Sequence, residues 1–437
     1  MPAKVVLGIL LLGTVSALAQ LQSLDATGVI PDPPAADIAL PVKLHGDPLR
    51  LIGGFASVPG SFAGISWTTT NLFGFQEILN ATGEIGDRLR RGQIGITRPS
   101  AFGTHFQVGA AVYGQRFHYN EERESSLTAF DREIPQFDTY DPNDVLNYIS
   151  TSFGATVFAQ YPVGAGFSHF DLMYGFDVSR YSPETVVTSE YFSEFNFQGR
   201  AGSNELNSVR TSKIVPSYTY NTVDNAANPT KGAFFSLSAT LAGPGGNAHI
   251  LEPAIERKYF HRGLWHRHVV ATRLRGRLIS GYGGRSAPPF DRYYMGGEDD
   301  VRGFSSWAVS PIAFLPSAAT IPELNPDGSA RYENILVNCV LTAVPVTMSI
   351  PVYRTFSPGG DTNVVANFEY RIPVAGPLTF AIFTDAGVNR ITFDSQLKLN
   401  QGIIGSLNGK FIEAGYSNRL LLVPAAQKIR MSTGPEL

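Results

Sequence analysis

The chain has 437 residues, 16% of them charged and 43% hydrophobic, with a net charge of −3. Its apolar and aromatic content, including 29 Phe and 18 Tyr, excludes a disordered chain, and the near-neutral balance excludes a surface built for nucleic acid. A mean hydropathy of −0.02 leaves a soluble fold and a barrel in lipid both open, because barrel strands alternate lipid-facing with lumen-facing residues.

The first element in chain order is "MPAKVVLGILLLGTVSALAQ", with Lys4, an apolar run from Val5 to Val15, and Ala17-Leu18-Ala19 before Gln20. Charge, apolar core and small-residue site in that order predict a cleavable signal peptide over 1–19, too short to span as a helix. Residues 20–47 are proline-rich and read as a linker. The single cysteine, Cys339, excludes an intramolecular disulfide, so the exported chain must rely on its size and hydrogen bonding.

From Leu49 onward, runs of two-residue alternation separated by turn signals predict an all-β fold with almost no helical periodicity. The runs fall near 49–57, 63–71, 75–84, 91–98, 104–117, 149–161, 168–180, 210–223, 233–242, 249–260, 268–280, 363–373, 377–388 and from Lys428, fourteen in all. A length of roughly ten residues suits tilted membrane-crossing strands better than the shorter strands of soluble sandwiches. Short turns such as "NPTKG" (228–232) alternate with long polar excursions at 119–147, 181–209, 281–361 and 390–427, the layout of a transmembrane antiparallel β-barrel. The uncharged stretch 335–352 carries Pro345 and Pro351 and reads as extra structure within a long loop, not as a helix.

Alternation also assigns faces. In "VVATRLRGRLI" the residues Val270, Thr272, Leu274 and Leu278 share one face, and Arg273, Arg275 and Arg277 share the other, which must meet water or acids. In "NVVANFEYRIP" Glu369 falls inside with Val365, Asn367 and Arg371. In "PLTFAIFTDAGV" Asp385 falls inside with Thr379, Phe383 and Gly387. Two carboxylates on neighbouring strands of one inner wall can share a guanidinium. Arg302 in "RYYMGGEDDVRGFSS" is the candidate, because Gly296, Gly297 and Gly303 permit the tight turns that fold a loop tip back into the lumen. The plain alternative is a surface-turn arginine, and the two acids can also pair with Arg371 or the arginine row.

These residues resemble the BamA-type outer-membrane insertases of the bacterial surface-antigen family, whose sixth extracellular loop carries a Gly-Gly and a Val-Arg-Gly-Phe tetrad. The resemblance implies that Val301, Arg302, Gly303 and Phe304 are the tetrad, that the loop folds into the lumen, and that Glu369 and Asp385 contact Arg302. "YNTVDNAANPTKGAFFS" (220–236) is similar to the family's Asp…Pro-x-x-Gly hairpin, "FTDAGVN" (383–389) to its Asp-x-Gly strand, "KIRMSTG" (428–434) to the strand two before the C-terminus, and "ISWTTTNLFGFQEILNATGEIG" (65–86) to its first hairpins. The likeness makes 20–47 a periplasmic linker and 48–437 an outer-membrane barrel of the sixteen-stranded type, with about fourteen strands present. Family members of the assembly type carry periplasmic repeats ahead of the barrel, and residues 20–47 are too few for one. The sequence stops at "MSTGPEL", part-way into the fourteenth run, so an incomplete barrel that cannot close as it stands is expected.

By resemblance, the function expected is outer-membrane protein assembly and insertion: the seam between first and last strands opens and templates nascent barrel hairpins, without a chemical step. The implied partners are the lipid bilayer, nascent outer-membrane proteins, assembly lipoproteins and periplasmic chaperones, with no nucleic acid and no cofactor. A two-partner secretion transporter and a porin with an arginine-lined lumen are the alternatives. No Gly-x-Ser-x-Gly elbow, phosphate-binding glycine loop or His-Glu-x-x-His motif occurs, and Ser168-His169 point to opposite strand faces, so the expectation is a non-enzyme with no metal. Glu298-Asp299-Asp300 reads as a solvated acidic loop and His261, His266 and His268 as solvated turn residues. The aromatics are expected mostly at girdle and lipid contacts.

Overall fold

The computed structural model describes residues 40–44, 47–56, 60–101, 103–120, 146–164, 167–225, 228–337, 340–375, 378–411 and 415–436. The segment 1–19 read as a signal peptide, most of the linker and Cys339 lie outside these residues.

One antiparallel sheet of sixteen strands dominates. Its first members are β1 (Leu40–Leu44), β2 (Asp47–Ala56), β3 (Gly60–Thr70), β4 (Ile78–Gly86), β5 (Leu89–Ala101), β6 (Phe106–Asn120), β7 (Asn147–Val163) and β8 (Ser168–Pro183). It continues through β9 (Val209–Asn221), β10 (Gly232–Ala242), β11 (Ile250–Arg262), β12 (Val269–Leu278) and β13 (Ser280–Gly281), which extends β12 along β11. A long loop follows, carrying β14 (Ile312–Pro322), β15 (Tyr332–Val337), β16 (Val340–Pro345) and β17 (Thr347–Phe356). The sheet resumes with β18 (Thr362–Ala375), beside β12, and β19 (Leu378–Arg390). A second long loop holds β20 (Leu421–Val423), and β21 (Arg430–Glu436) pairs with β19.

The fourteen alternating runs correspond to β2–β12, β18, β19 and β21. One difference lies ahead of them: Leu40–Leu44, inside the stretch read as linker, pairs with β2 in the register Leu40↔Leu51. The apolar stretch within the long loop is β structure, as the prolines predict: β15 pairs with β16, and β17 with β14.

Strand alternation creates an outer apolar face. Along β8, Phe170, Leu172, Tyr174, Phe176 and Val178 are exposed while Met173, Asp177 and Ser179 between them are buried. The inner faces converge on one loop: Phe117 of β6 packs edge-on to Trp307, Tyr181 of β8 stacks on Phe290 at 3.7 Å, and Asn389 of β19 bonds to Tyr293. Strands so far apart in the sheet can reach one loop only if the sheet wraps into a barrel around it.

Many aromatics do not face lipid. Tyr119, Tyr148, Tyr191, Phe192, Phe195, Phe197, Phe290, Tyr294, Trp307 and Phe356 form one core over the long-loop end of the barrel, which corrects the expectation that the aromatics are mostly girdle. Two helices complete it, α1 (Val186–Glu194) and α2 (Gln401–Lys410), which bury Tyr191 and Phe192, and Ile404 and Leu407. Asn400 caps α2 by accepting from Gly402 N at 2.9 Å. The aromatic rings bury large areas and fix one another's orientation, so this dome anchors the long loops where backbone alone could not.

Candidate functional site

The site is the tip of the β13–β18 loop, residues 293–309, lying against the inner faces of β12, β18 and β19. Its backbone is folded on itself by bonds from Gly297 N to Phe304 O (2.9 Å) and between Met295 and Val309 in both directions (3.0 and 2.8 Å). Gly296, Gly297 and Gly303 have φ of 127°, 89° and 85°, in the region that favours glycine. Gly296 also meets a steric demand: a Cβ there would lie 2.2 Å from Ser305 O.

Arg302 lies on Asp385. Its backbone N donates to Asp385 Oδ2 at 3.0 Å, its Nε to the same oxygen at 2.8 Å, and its Nη2 to Oδ1 at 2.9 Å. Nη1 reaches Glu369 Oε2 at 3.4 Å and Glu436 Oε2 of β21 at 2.5 Å. The guanidinium lies 3.9 Å from the centre of the Phe383 ring. Asp385 is completely buried and the Arg302 side chain is 14% exposed. Burial opposes the charged guanidinium, but the bonds and charge of Asp385 outweigh that effect and raise its pKa. Glu369 is shared, since Arg371 Nε donates to its other oxygen at 2.7 Å.

The inner face of β19 meets the loop at every second residue, as strand geometry requires. Asp385 holds Arg302. Two positions on, Gly387 leaves the space in which Met295 and Val301 sit, since a Cβ there would lie 2.6 Å from Met295 Sδ and 2.8 Å from Val301 Cγ2. Two further on, Asn389 Nδ2 donates to Tyr293 O at 2.6 Å and Val309 O at 3.0 Å. Met295, Val301, Phe304 and Val309 pack with Val365 of β18 in a small apolar cluster.

The arginine row faces the loop and its neighbouring strands. Arg273 donates to Glu256 Oε1 and to Asp299 O, both at 2.6 Å. Arg275 pairs with Asp300. Arg277 donates to Asn363 Oδ1 at 3.4 Å and lies over the Tyr293 ring at 4.6 Å. Asp300, read from sequence as solvated, is buried, because the loop carries it onto β12, where a cation awaits it. Glu298 of the same acidic run is exposed. His268 is likewise not simply solvated, as its Nδ1 lies 2.9 Å from the Tyr370 hydroxyl.

Thus Val301, Arg302, Gly303, Phe304, Glu369, Asp385 and the three arginines meet within one wall and one loop. Sequence reasoning missed Asp300, Asn389 and Glu436. Asn389 carried a usable signal, being in phase with Asp385 on its strand. Asp300 and Glu436 did not, since their partners are set by the loop path and by the β19–β21 register.

An antiparallel barrel with an apolar outer face, an ionic inner wall and a glycine-turned loop clasped inside defines an integral outer-membrane β-barrel. The chain belongs to the Omp85 superfamily, whose domain description matches residues 71–437. Among curated relatives it is 34% identical over 96 residues to the outer membrane protein assembly factor BamA of Nitratidesulfovibrio vulgaris, an alignment covering 22% of this chain and 12% of that protein. It is 33% identical over 84 residues to the sorting and assembly machinery component 50 homolog B of Xenopus laevis, covering 19% of this chain and 18% of that protein. These matches span less than a fifth of either relative. The crystal structure of BamA from Haemophilus ducreyi lacking POTRA domains 1–3 shares the fold, with a TM-score of 0.58 at 16% identity over 97% of this chain and 72% of that one.

Proposed function

We propose that this barrel assembles outer-membrane proteins, pairing nascent β-hairpins with the edge of its own sheet and releasing them into the bilayer. The physical basis is that an unpaired backbone group in hydrocarbon costs several kcal/mol, so an edge strand inside lipid is a strong template for a client hairpin. The observation that carries the reading is the placement of the Arg302 clasp. It ties the loop to β18 and β19 and reaches Glu436 of β21, so one loop holds three neighbouring strands of the wall. The loop so held keeps this part of the wall in shape while a client pairs with the sheet. The names of the two curated relatives, an assembly factor and a component of an assembly machinery, support the same reading. Nascent outer-membrane proteins are then the clients, with periplasmic chaperones delivering them and assembly lipoproteins alongside. The engagement of Arg273, Arg275 and Arg277 by the loop and by neighbouring strands supports a positioning role over an anion-selective lining.

The test is a folding assay in phosphatidylcholine vesicles. A urea-unfolded small outer-membrane barrel is added, and its folded fraction is followed on a gel. Vesicles carrying the native chain are expected to fold the client faster than empty ones, and vesicles carrying Arg302→Ala to lose most of that gain. Equal rates in loaded and empty vesicles contradict the proposal.

A further inference from the structure

We infer that Asp300 and Arg275 form a second anchor of the inserted loop, opposite in polarity to Arg302 and Asp385, and that Asp300 is a positioning residue for the Val-Arg-Gly-Phe tip. The inference concerns how the loop is held and stands whatever the barrel acts on.

Asp300 is engaged through its side chain and through both groups of its backbone. Its carboxylate accepts from Arg275 and, through Oδ2, from Gly296 N at 3.3 Å. Its carbonyl accepts from Asn367 Nδ2 at 2.7 Å, and its N–H donates to Gly297 O at 3.3 Å. The Arg275 and Asp300 side chains are 12% and 10% exposed, as dry as the Arg302 clasp. Burying an ion pair is costly unless its other polar atoms are also bonded, and on the acid side Gly296 N takes the second oxygen of Asp300.

The geometry explains why one anchor is not enough. β12, β18 and β19 are adjacent in the sheet, so their inner faces span about 10 Å from first to last. Asp300 binds β12 through Arg275 and β18 through Asn367, while Arg302, two residues on, binds β19 through Asp385. Arg302 holds the tip on the β18, β19 and β21 side and Asn389 holds its base, and Asp300 adds the attachment to β12. Opposite charges two residues apart, drawn to opposite ends of a three-strand wall, fix its rotation and aim Val301, between them, into the space over Gly387.

Two further features argue against an incidental contact. Arg273 supports the same edge by donating to Asp299 O at 2.6 Å. The charges are also arranged by type: the cation row lies on β12 and the two clasp acids, Glu369 and Asp385, on β18 and β19, so the loop's acid and base each face their complement and would be repelled if exchanged.

The experiment uses the full chain refolded into phosphatidylcholine vesicles, with Cys339→Ser and a reporter thiol at Val301→Cys, a completely buried position. The rate of reaction with a water-soluble maleimide reads loop release, and the gel band of the folded barrel confirms folding of each variant. Arg275→Asp and Asp300→Arg are each expected to raise the labelling rate at least about tenfold, and the combined charge swap to bring it back to within about threefold of the parent. Single variants that label at the parent rate, or a swap no slower than the singles, overturn the inference. If the charge-reversed singles do not fold, Asp300→Asn and Asp300→Glu decide it. Faster labelling for Asn with near-parent labelling for Glu supports the anchor, and equal rates for the two overturn it.

Discussion

Asp385 receives Arg302 three times over, from the backbone N, Nε and Nη2, at 3.0, 2.8 and 2.9 Å. Because one carboxylate takes both the main chain and the side chain of the same residue, the contact fixes the loop's path as well as its charge. A bidentate fork matches a carboxylate in a way that a point-charge ammonium cannot.

Replacing Arg302 with Ala leaves Asp385, which is completely buried, without its cation. The expected cost is about 3 to 5 kcal/mol of barrel stability, the range for removing one partner of a buried pair. Arg302→Lys keeps the charge but loses the fork and should fall between the two. Guanidinium unfolding of the refolded chain, followed by tryptophan fluorescence, measures both, and an Ala variant as stable as the parent refutes the expectation.

Gly387→Ala places a methyl 2.6 Å from Met295 Sδ and 2.8 Å from Val301 Cγ2. Overpacking of this kind costs about 1 to 3 kcal/mol. Gly92→Ala, where nothing lies within 4 Å of the added carbon, is the matched control and should be near neutral. The same unfolding measurement compares them, and equal stability of the two variants would show that the loop does not pack on Gly387.

Asp224 organises the β9–β10 turn. Its carboxylate accepts from Thr230 N at 2.9 Å, Thr230 Oγ1 at 2.5 Å and Lys231 N at 3.2 Å. Desolvation works to raise its pKa, but these bonds outweigh it and hold the carboxyl at about 2, down from 3.8. A depressed folded value means that the turn's stabilisation is fully present above the unfolded pKa and is lost as pH falls through the folded one. The amide resonances of Thr230 and Lys231 should therefore shift with a midpoint near pH 2. A midpoint near 3.8 would show that the turn bonds are not formed in solution.

The barrel was legible because its strands obey one rule: the period-two alternation that places Phe368 outside and Glu369 inside is local and needs no knowledge of the rest of the chain. The clasp was legible for the same reason, since alternation alone puts Glu369 and Asp385 on the inner wall, and Gly296, Gly297 and Gly303 announce a tightly turned loop. What stayed hidden depends on tertiary placement. Asp300 looks like any loop acid until the loop delivers it to Arg275. Tyr119 and Tyr148 lie at strand ends, where a girdle is the local expectation, but the dome of long loops covers them. The strand at Leu40–Leu44 carries Pro41 within a proline-rich stretch, and its pairing with β2 is what defines it. Helices α1 and α2 are short, and their shape is fixed by packing in the dome, not by a long amphipathic repeat.

The seating of the tetrad on the wall of β19 can be measured directly. In a Cys339→Ser, Met295→Ala background, which removes the sulfur that a Cβ at 387 would meet, Val301→Cys and Gly387→Cys bring two sulfurs to a site where the parent Val301 Cγ2 lies 2.8 Å from a Cβ at position 387, within reach of a disulfide whose S–S bond is about 2 Å. After mild oxidation of the folded chain in vesicles, an intramolecular crosslink is expected that shifts the gel band and leaves no thiol for maleimide. Two free, readily labelled thiols after oxidation would place the loop elsewhere and contradict it.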